Sequence, residues 1–228
     1  MEEIQSDGEA VSSRKRFLAM IGGAGTAGAL GLLATACGDG GGQAGPTDEK
    51  SKDAVGGDLE IVQYALTLEY LEATFYADVL DAGVIEDPAL VKLIKDVQQN
   101  EQEHVEALRA TVSQLGASPV ADPEGDFRAV IDKGERAVFE TAAMVENVGA
   151  AAYLGQAPFI QDPDILAAAL AIHTVEARHA AALNEIYGYP FVTDDPLEGS
   201  VPDGTFATPL DMEAVLKLVQ PFLPKEQS

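Results

Sequence analysis

Two stretches of this chain break an apolar helical stripe with Glu-x-x-His, at Glu101–His104 and at Glu176–His179. Residues three apart share one helix face, so each pair offers a carboxylate and an imidazole to one point in space. Over 88–115 the stripe reads Leu90, Ile94, Val97, Glu101, His104, Leu108 and Leu115. Between Pro163 and Gly188 it reads Ile165, Ala169, Ile172, Glu176, His179, Leu183 and Ile186. Two further stretches carry a single Glu at the same place in the stripe. These are Val62, Leu66, Glu69, Ala73 and Tyr76 over 58–81, and Phe139, Ala142, Glu146, Ala150 and Tyr153 over roughly 125–154. All four keep the 3.6-residue period of an amphipathic helix. Gly134 is placed to bend the third. Apart from 116–125 the connections are short, so the expectation is an all-α chain folded as an antiparallel four-helix bundle.

Four glutamates at one level of a bundle core repel one another unless protons or cations neutralise them, and Glu is seldom buried without a partner. One Glu from each of two helices plus Glu-x-x-His from the other two is the ligand pattern of two-metal carboxylate bundles. The candidate metal ligands are therefore Glu69, Glu101, His104, Glu146, Glu176 and His179. Imidazole nitrogen with carboxylate oxygen suits iron, manganese or zinc, and carboxylates can hold two such ions roughly 3.5–4 Å apart. The competing reading is a set of surface glutamates paired with Lys or Arg one turn away. Few basic residues lie near these positions to support it.

The pattern repeats. The Glu-x-x-His pairs lie 75 residues apart and the single glutamates 77 apart, each of the latter followed seven residues later by a tyrosine, Tyr76 and Tyr153. Two related helical hairpins would pair the metals about an approximate two-fold axis. Tyr76 and Tyr153 are candidate catalytic residues, as redox-active phenols or as groups supporting the ligands, and equally plain aromatic filling. Glu72, one turn after Glu69, competes with it as ligand, although the apolar line favours Glu69. Glu103, Glu72 or Asn147 could orient a histidine through its second nitrogen. His173 lies beside the stripe and reads as a structural, partly buried residue.

Upstream, the chain reads as an address. Ser13-Arg14-Lys15-Arg16 precedes an uncharged Gly- and Ala-rich run over 17–36, which ends in Ala34-Thr35-Ala36-Cys37. A basic cluster, an apolar run and small residues at a cleavage site make an export signal over 1–36. The stretch Ser13–Leu18 resembles a twin-arginine signal, with Lys15 in place of the second arginine. Leu33–Cys37 resembles a lipobox, which would make Cys37 a lipidated N-terminus. As Cys37 is the only cysteine, no internal disulfide or cysteine-based metal cluster can form. Residues 37–57 read as a flexible linker, 58–188 as the bundle, and 189–228 as a Pro/Gly/Asp-rich arm with a short helix over 210–219 that covers one end. A formal net charge of −24 would repel nucleic acid and anionic lipid, so neither is an expected partner. The membrane enters only through Cys37.

The residues Tyr64-Ala-Leu-Thr-Leu-Glu69-Tyr-Leu-Glu72-Ala-Thr-Phe-Tyr76 resemble the first helix of bacterial ferritin-like domain proteins, a group related to desiccation-associated proteins of plants. The resemblance spans roughly 57–187 and touches the tail at 208–223. It implies a ferritin-like bundle with a C-terminal extension, as a monomer or homodimer rather than a cage. The function expected is that of an exported, membrane-anchored protein holding two iron or manganese ions that react with oxygen or peroxide in oxidative or desiccation stress. Its alternative is a non-catalytic envelope protein in which the metals are structural. The ligands alone do not choose between them.

Overall fold

The computed structural model describes residues 49–195, 197–200 and 206–224, with side chains from Gly57 onward. The basic export motif, the lipobox-like stretch, Cys37 and linker residues up to 48 lie outside these. The first helix, α1 (Glu49–Ala82), begins at Glu49 rather than near Asp58. Glu49, Lys50, Lys52 and Ala54 are good helix formers, and no proline interrupts them. A five-residue connection leads to α2 (Pro88–Gln114). A short helix, α3 (Arg128–Ile131), precedes α4 (Glu135–Gln156). After a 3₁₀ turn at Ala157–Phe159 comes α5 (Pro163–Tyr187), and the tail holds α6 (Met212–Val219) and a second 3₁₀ turn, Gln220–Phe222. No strand occurs among the described residues.

Helices α1 and α2 form one hairpin, and α4 and α5 the other. The two hairpins start their second helices alike. Asp87 caps α2 by accepting from the Ala89 amide at 2.7 Å, with Pro88 in the first turn. Asp162 caps α5, accepting from Asp164 and Ile165, with Pro163 in the first turn. An acidic N-cap satisfies amides that the helix leaves bare, and proline costs nothing where no amide is needed. Gly188, in the left-handed region at φ +94°, ends α5. Buried Asp58 ties the hairpins together by accepting from the amides of Gln161 and Asp162, each at 2.8 Å.

Two expectations change. Gly134 does not bend a continuous third helix. At φ +88° and ψ −177° it stops the chain from propagating, leaving α3 as a separate turn ahead of α4. The tail helix does not cover an end of the bundle either. Its buried Val219, with Phe222, packs beside Leu68, Leu71, Glu72, Phe127, Val148 and Gly149, over the seam between α1 and α4. Just before α6 a backbone hydrogen bond from Leu210 N to Ala151 O, at 3.0 Å, ties the arm to α4, and after it Asp126 N donates to Phe222 O at 2.9 Å. An apolar seam of this kind needs a cover, and an amphipathic helix with Val215 and Val219 on one face supplies it.

Candidate metal centre

The apolar stripes bring Glu69, Glu101, Glu146 and Glu176 to one level of the core, where all four are fully buried. His104 and His179 join them, their side chains retaining 12% and 11% exposure. The six residues singled out in the sequence thus lie together.

Their contacts between helices repeat about the approximate two-fold axis, while His104 alone also meets the glutamate one turn before it. His104 Nδ1 lies 3.1 Å from Glu69 Oε2, 2.9 Å from Glu101 Oε2 and 3.2 Å from Glu176 Oε1. His179 Nδ1 lies 3.2 Å from Glu146 Oε2 and 3.0 Å from Glu101 Oε1. Two groups of ligand atoms follow, Glu69–Glu101–His104–Glu176 and Glu101–Glu146–Glu176–His179. Within each group the atoms lie within 4.8 Å of one another, and each group could hold a metal ion. Glu101 and Glu176 belong to both.

The tyrosines cross between hairpins. The Tyr76 hydroxyl on α1 donates to Glu146 Oε1 on α4, and the Tyr153 hydroxyl on α4 donates to Glu69 Oε1 on α1, both at 2.5 Å. Running in opposite order along the two helices, these bonds fix α1 and α4 as antiparallel. Each hydroxyl occupies one carboxylate oxygen and leaves Oε2 facing the histidine. Burial, and then the adjoining carboxylate, push both phenols well above their ordinary value.

Several oxygens in the cluster lack a donor of their own. Glu101 Oε1 and Glu176 Oε1 each face a histidine Nδ1 that is shared with other carboxylates, at 3.0 and 3.2 Å, and Glu176 Oε2 is buried without a hydrogen bond. A buried ionised carboxylate costs several kcal/mol unless compensated, to an order of magnitude. Burial pushes the Glu176 carboxyl well above the usual carboxylate range, helped by the charges of Glu101, Glu146 and Glu69. Burial and Glu146 raise Glu101, against the hydrogen bonds it receives from the two histidines. Burial alone would lower His104, but Glu69 and its hydrogen-bonded carboxylates raise it well above the ordinary histidine value. His179 is pushed up to about 9, its bonds to Glu101 and Glu146 outweighing burial. The cluster therefore demands positive charge. Four carboxylates carry the charge that two divalent cations cancel, and oxygen with imidazole nitrogen is the donor set for iron, manganese or zinc.

A fifth buried carboxylate adjoins the four. Glu72 is 5% exposed, and burial followed by the charge of Glu176 raises it well above its ordinary value. It does not displace Glu69, which sits in the cluster while Glu72 is in neither group of ligand atoms. The sequence did hold a signal for its place. The 77-residue offset puts Gly149 opposite Glu72, and Gly149 is where space for the carboxylate is made.

The histidine support differs from the expectation. The Asn147 amide donates to Ala143 O and Asn184 Oδ1, and Glu103 accepts from Gln99. The group beside a histidine's far nitrogen is instead Asn100, whose Nδ2 lies 3.1 Å from His179 Nε2. It directly precedes Glu101, a position the stripe does not mark. Its counterpart at the 75-residue offset is Val175. His173 donates from Nδ1 to Ala150 O at 3.0 Å, a structural bond outside the cluster.

No curated protein matches the chain. A family model described as a ferritin-like domain matches residues 57–188, more than half of the sequence and the whole of the stretch that supplies the cluster.

Proposed function

This chain belongs to the ferritin-like domain family, and from that premise we propose that it holds two iron or manganese ions and reacts with oxygen or peroxide outside the cytoplasm. The observation that carries the reading is the sharing of Glu101 and Glu176 between two otherwise separate groups of ligand atoms. In this arrangement Glu69 and His104 complete one half, and Glu146 and His179 the other. Iron or manganese held by such residues supplies one-electron redox chemistry toward dioxygen or peroxide.

The chain's own groups do the rest. Tyr76 and Tyr153 hold Glu146 and Glu69 in place through their hydroxyls, and each is placed to give up an electron or proton next to a ligand. Burial and the charge of Glu176 raise the Glu72 carboxyl well above the ordinary carboxylate range, which places a group able to carry a proton beside that ligand. The surrounding core excludes water, which strengthens every electrostatic interaction within it.

Purified protein supplied with iron or manganese should contain two ions per chain, and Glu101→Ala or His179→Ala should lose them. Fewer than one ion in the wild type, with Tm unchanged in both variants, would sink the reading. Oxygen and peroxide consumption by the loaded protein then tests reactivity. The sealing of all four carboxylates from solvent favours one rival, in which the metals only brace the bundle. Two ions per chain without turnover would establish it.

Export and anchoring belong to the same proposal. The basic cluster at 14–16, the apolar run and Ala34-Thr35-Ala36-Cys37 support processing before a lipidated Cys37. No helix among the described residues is long and apolar enough to cross a membrane. Cys37→Ser should move the protein from the membrane fraction to the soluble one, and unchanged fractionation refutes lipidation.

A further inference from the structure

The two-fold relation between the hairpins holds at the carboxylates and fails beside them. Offsets of 77 residues between α1 and α4, and 75 between α2 and α5, superpose every member of the cluster on its counterpart. At the Tyr76 end the same offsets place Phe75, Leu93, Ile94 and Phe139. Phe75, Ile94 and Phe139 are buried there and fill the core. At the Tyr153 end their counterparts are Ala152, Ala168, Ala169 and Val62. All four positions have lost side-chain volume.

The consequence is a cavity of about 30 Å³ among the four helices at that end, with Val62, Leu108, Ala152, Tyr153, Ala168 and Ala169 on its wall. The exposed wall is almost entirely carbon. Of its polar residues, Thr111 donates its hydroxyl to Ala107 O and Tyr153 donates to Glu69, while Tyr64, whose buried hydroxyl has no hydrogen bond, and buried Gln156 line it with almost no polar surface on the wall. Tyr153 thus has its ring on the cavity and its hydroxyl on the cluster.

Water needs two to four polar partners to settle in such a space, and apolar cavities without them stay dry and take up apolar atoms such as xenon. One water-sized sphere needs roughly 10–15 Å³ by this measure, so the cavity suits a diatomic molecule and is too small for a hydrocarbon chain. Hydrogen peroxide would give up its hydrogen bonds to water on entering a wall that offers almost no polar surface in exchange. Dioxygen gives up none.

We propose that this cavity is a docking site for dioxygen, from which the gas reaches the cluster on the Tyr153 side. The assignment rests on the functional reading above and narrows its oxidant to the apolar one. Truncating four positions at one end only, next to the tyrosine that touches a ligand, is how the chain sets the two halves apart.

Xenon NMR in solution tests occupancy without using activity or metal. The wild-type chain should show saturable xenon binding, lost in Ala169→Ile, which restores the side chain found at the Ile94 position. Iron-loaded Ala169→Ile should also raise the KM for dioxygen about tenfold more than it changes kcat, at wild-type iron content. Ala168→Leu, which copies Leu93, repeats both measurements should Ala169→Ile fail to fold. Absence of xenon binding in the wild type, or an unchanged KM for dioxygen once the cavity is filled, overturns this inference alone. An iron-loaded wild type that consumes no dioxygen overturns the functional reading itself, and the dioxygen assignment with it.

Discussion

Gly149 stands where a β-carbon would come within 2.8 Å of Glu72 Oε1, and the same carbon would lie 3.0 Å from Glu176 Oε2. Glycine in mid-helix costs roughly 0.8–1.0 kcal/mol relative to alanine, so local propensity argues against it. The carboxylates decide its presence. Gly149→Ala should leave the metal-free bundle as stable as the wild type or slightly more so. Both carboxylates would have to shift, however, and metal affinity should fall about tenfold, near 1.4 kcal/mol. Chelator competition measures the affinity and thermal melts the stability. Undiminished affinity would show that Glu72 and Glu176 move freely and that the glycine is incidental.

Tyr153→Phe and Tyr76→Phe each remove a single hydroxyl and leave Glu69 Oε1 or Glu146 Oε1 buried without its donor. Stranding a buried acceptor costs about 1–3 kcal/mol. Each variant should melt earlier in the metal-free state, and the loss should shrink once cations neutralise the cluster. Equal losses with and without metal would mean that the phenols serve packing between α1 and α4 rather than the carboxylates.

Much of this centre was legible in the sequence because its determinants are periodic. A Glu that interrupts an apolar stripe can be located from spacing alone, and the six cluster residues were. The break at Gly134 was not, since φ +88° is a backbone property that a helical pattern conceals. Asn100 escaped because a neighbour of a stripe residue carries no periodic mark. The short helix over 210–219 was visible, but which seam its Val215 and Val219 cover depends on a gap between α1 and α4 that arises only on packing. The cavity was present in the offsets, as Ala152 against Phe75 and Ala169 against Ile94. It became meaningful only when the surrounding helices were in place.

Removing metal should make stability depend on pH, with a definite sign. His179, raised from 6.5 to about 9, contributes stability that is present in full below 6.5 and lost as pH climbs through 9. His104 is raised as well and acts in the same direction. Glu72 and Glu176, raised well above 4.5, bind protons in the fold that the unfolded chain has released, so they too lose stability with rising pH. All four contributions agree. The metal-free protein should therefore melt at progressively lower temperature between about pH 6 and pH 9, a window set by the histidine values. With manganese bound, the cations replace those protons and the slope should flatten. Calorimetric Tm values across the range, with and without metal, check this. A metal-free Tm that rises with pH would contradict the direction assigned to the cluster.

Asn100 makes the two halves unequal in their support of the histidines. Its amide stands 3.1 Å from His179 Nε2, while the matching position beside His104 is the apolar Val175. A histidine that binds metal through Nδ1 carries its proton on Nε2, and the amide meets that N–H by turning Oδ1 toward it. Such support orients the ring and raises its basicity, and its loss typically lowers metal affinity 10–100-fold. Asn100→Ala should therefore weaken one of two binding steps by about that factor and spare the other, whereas Asn100→Asp, which keeps an acceptor, should preserve both. Calorimetric titration with manganese resolves the steps. If Asn100→Ala weakens both steps equally, the amide acts on the bundle as a whole rather than on His179.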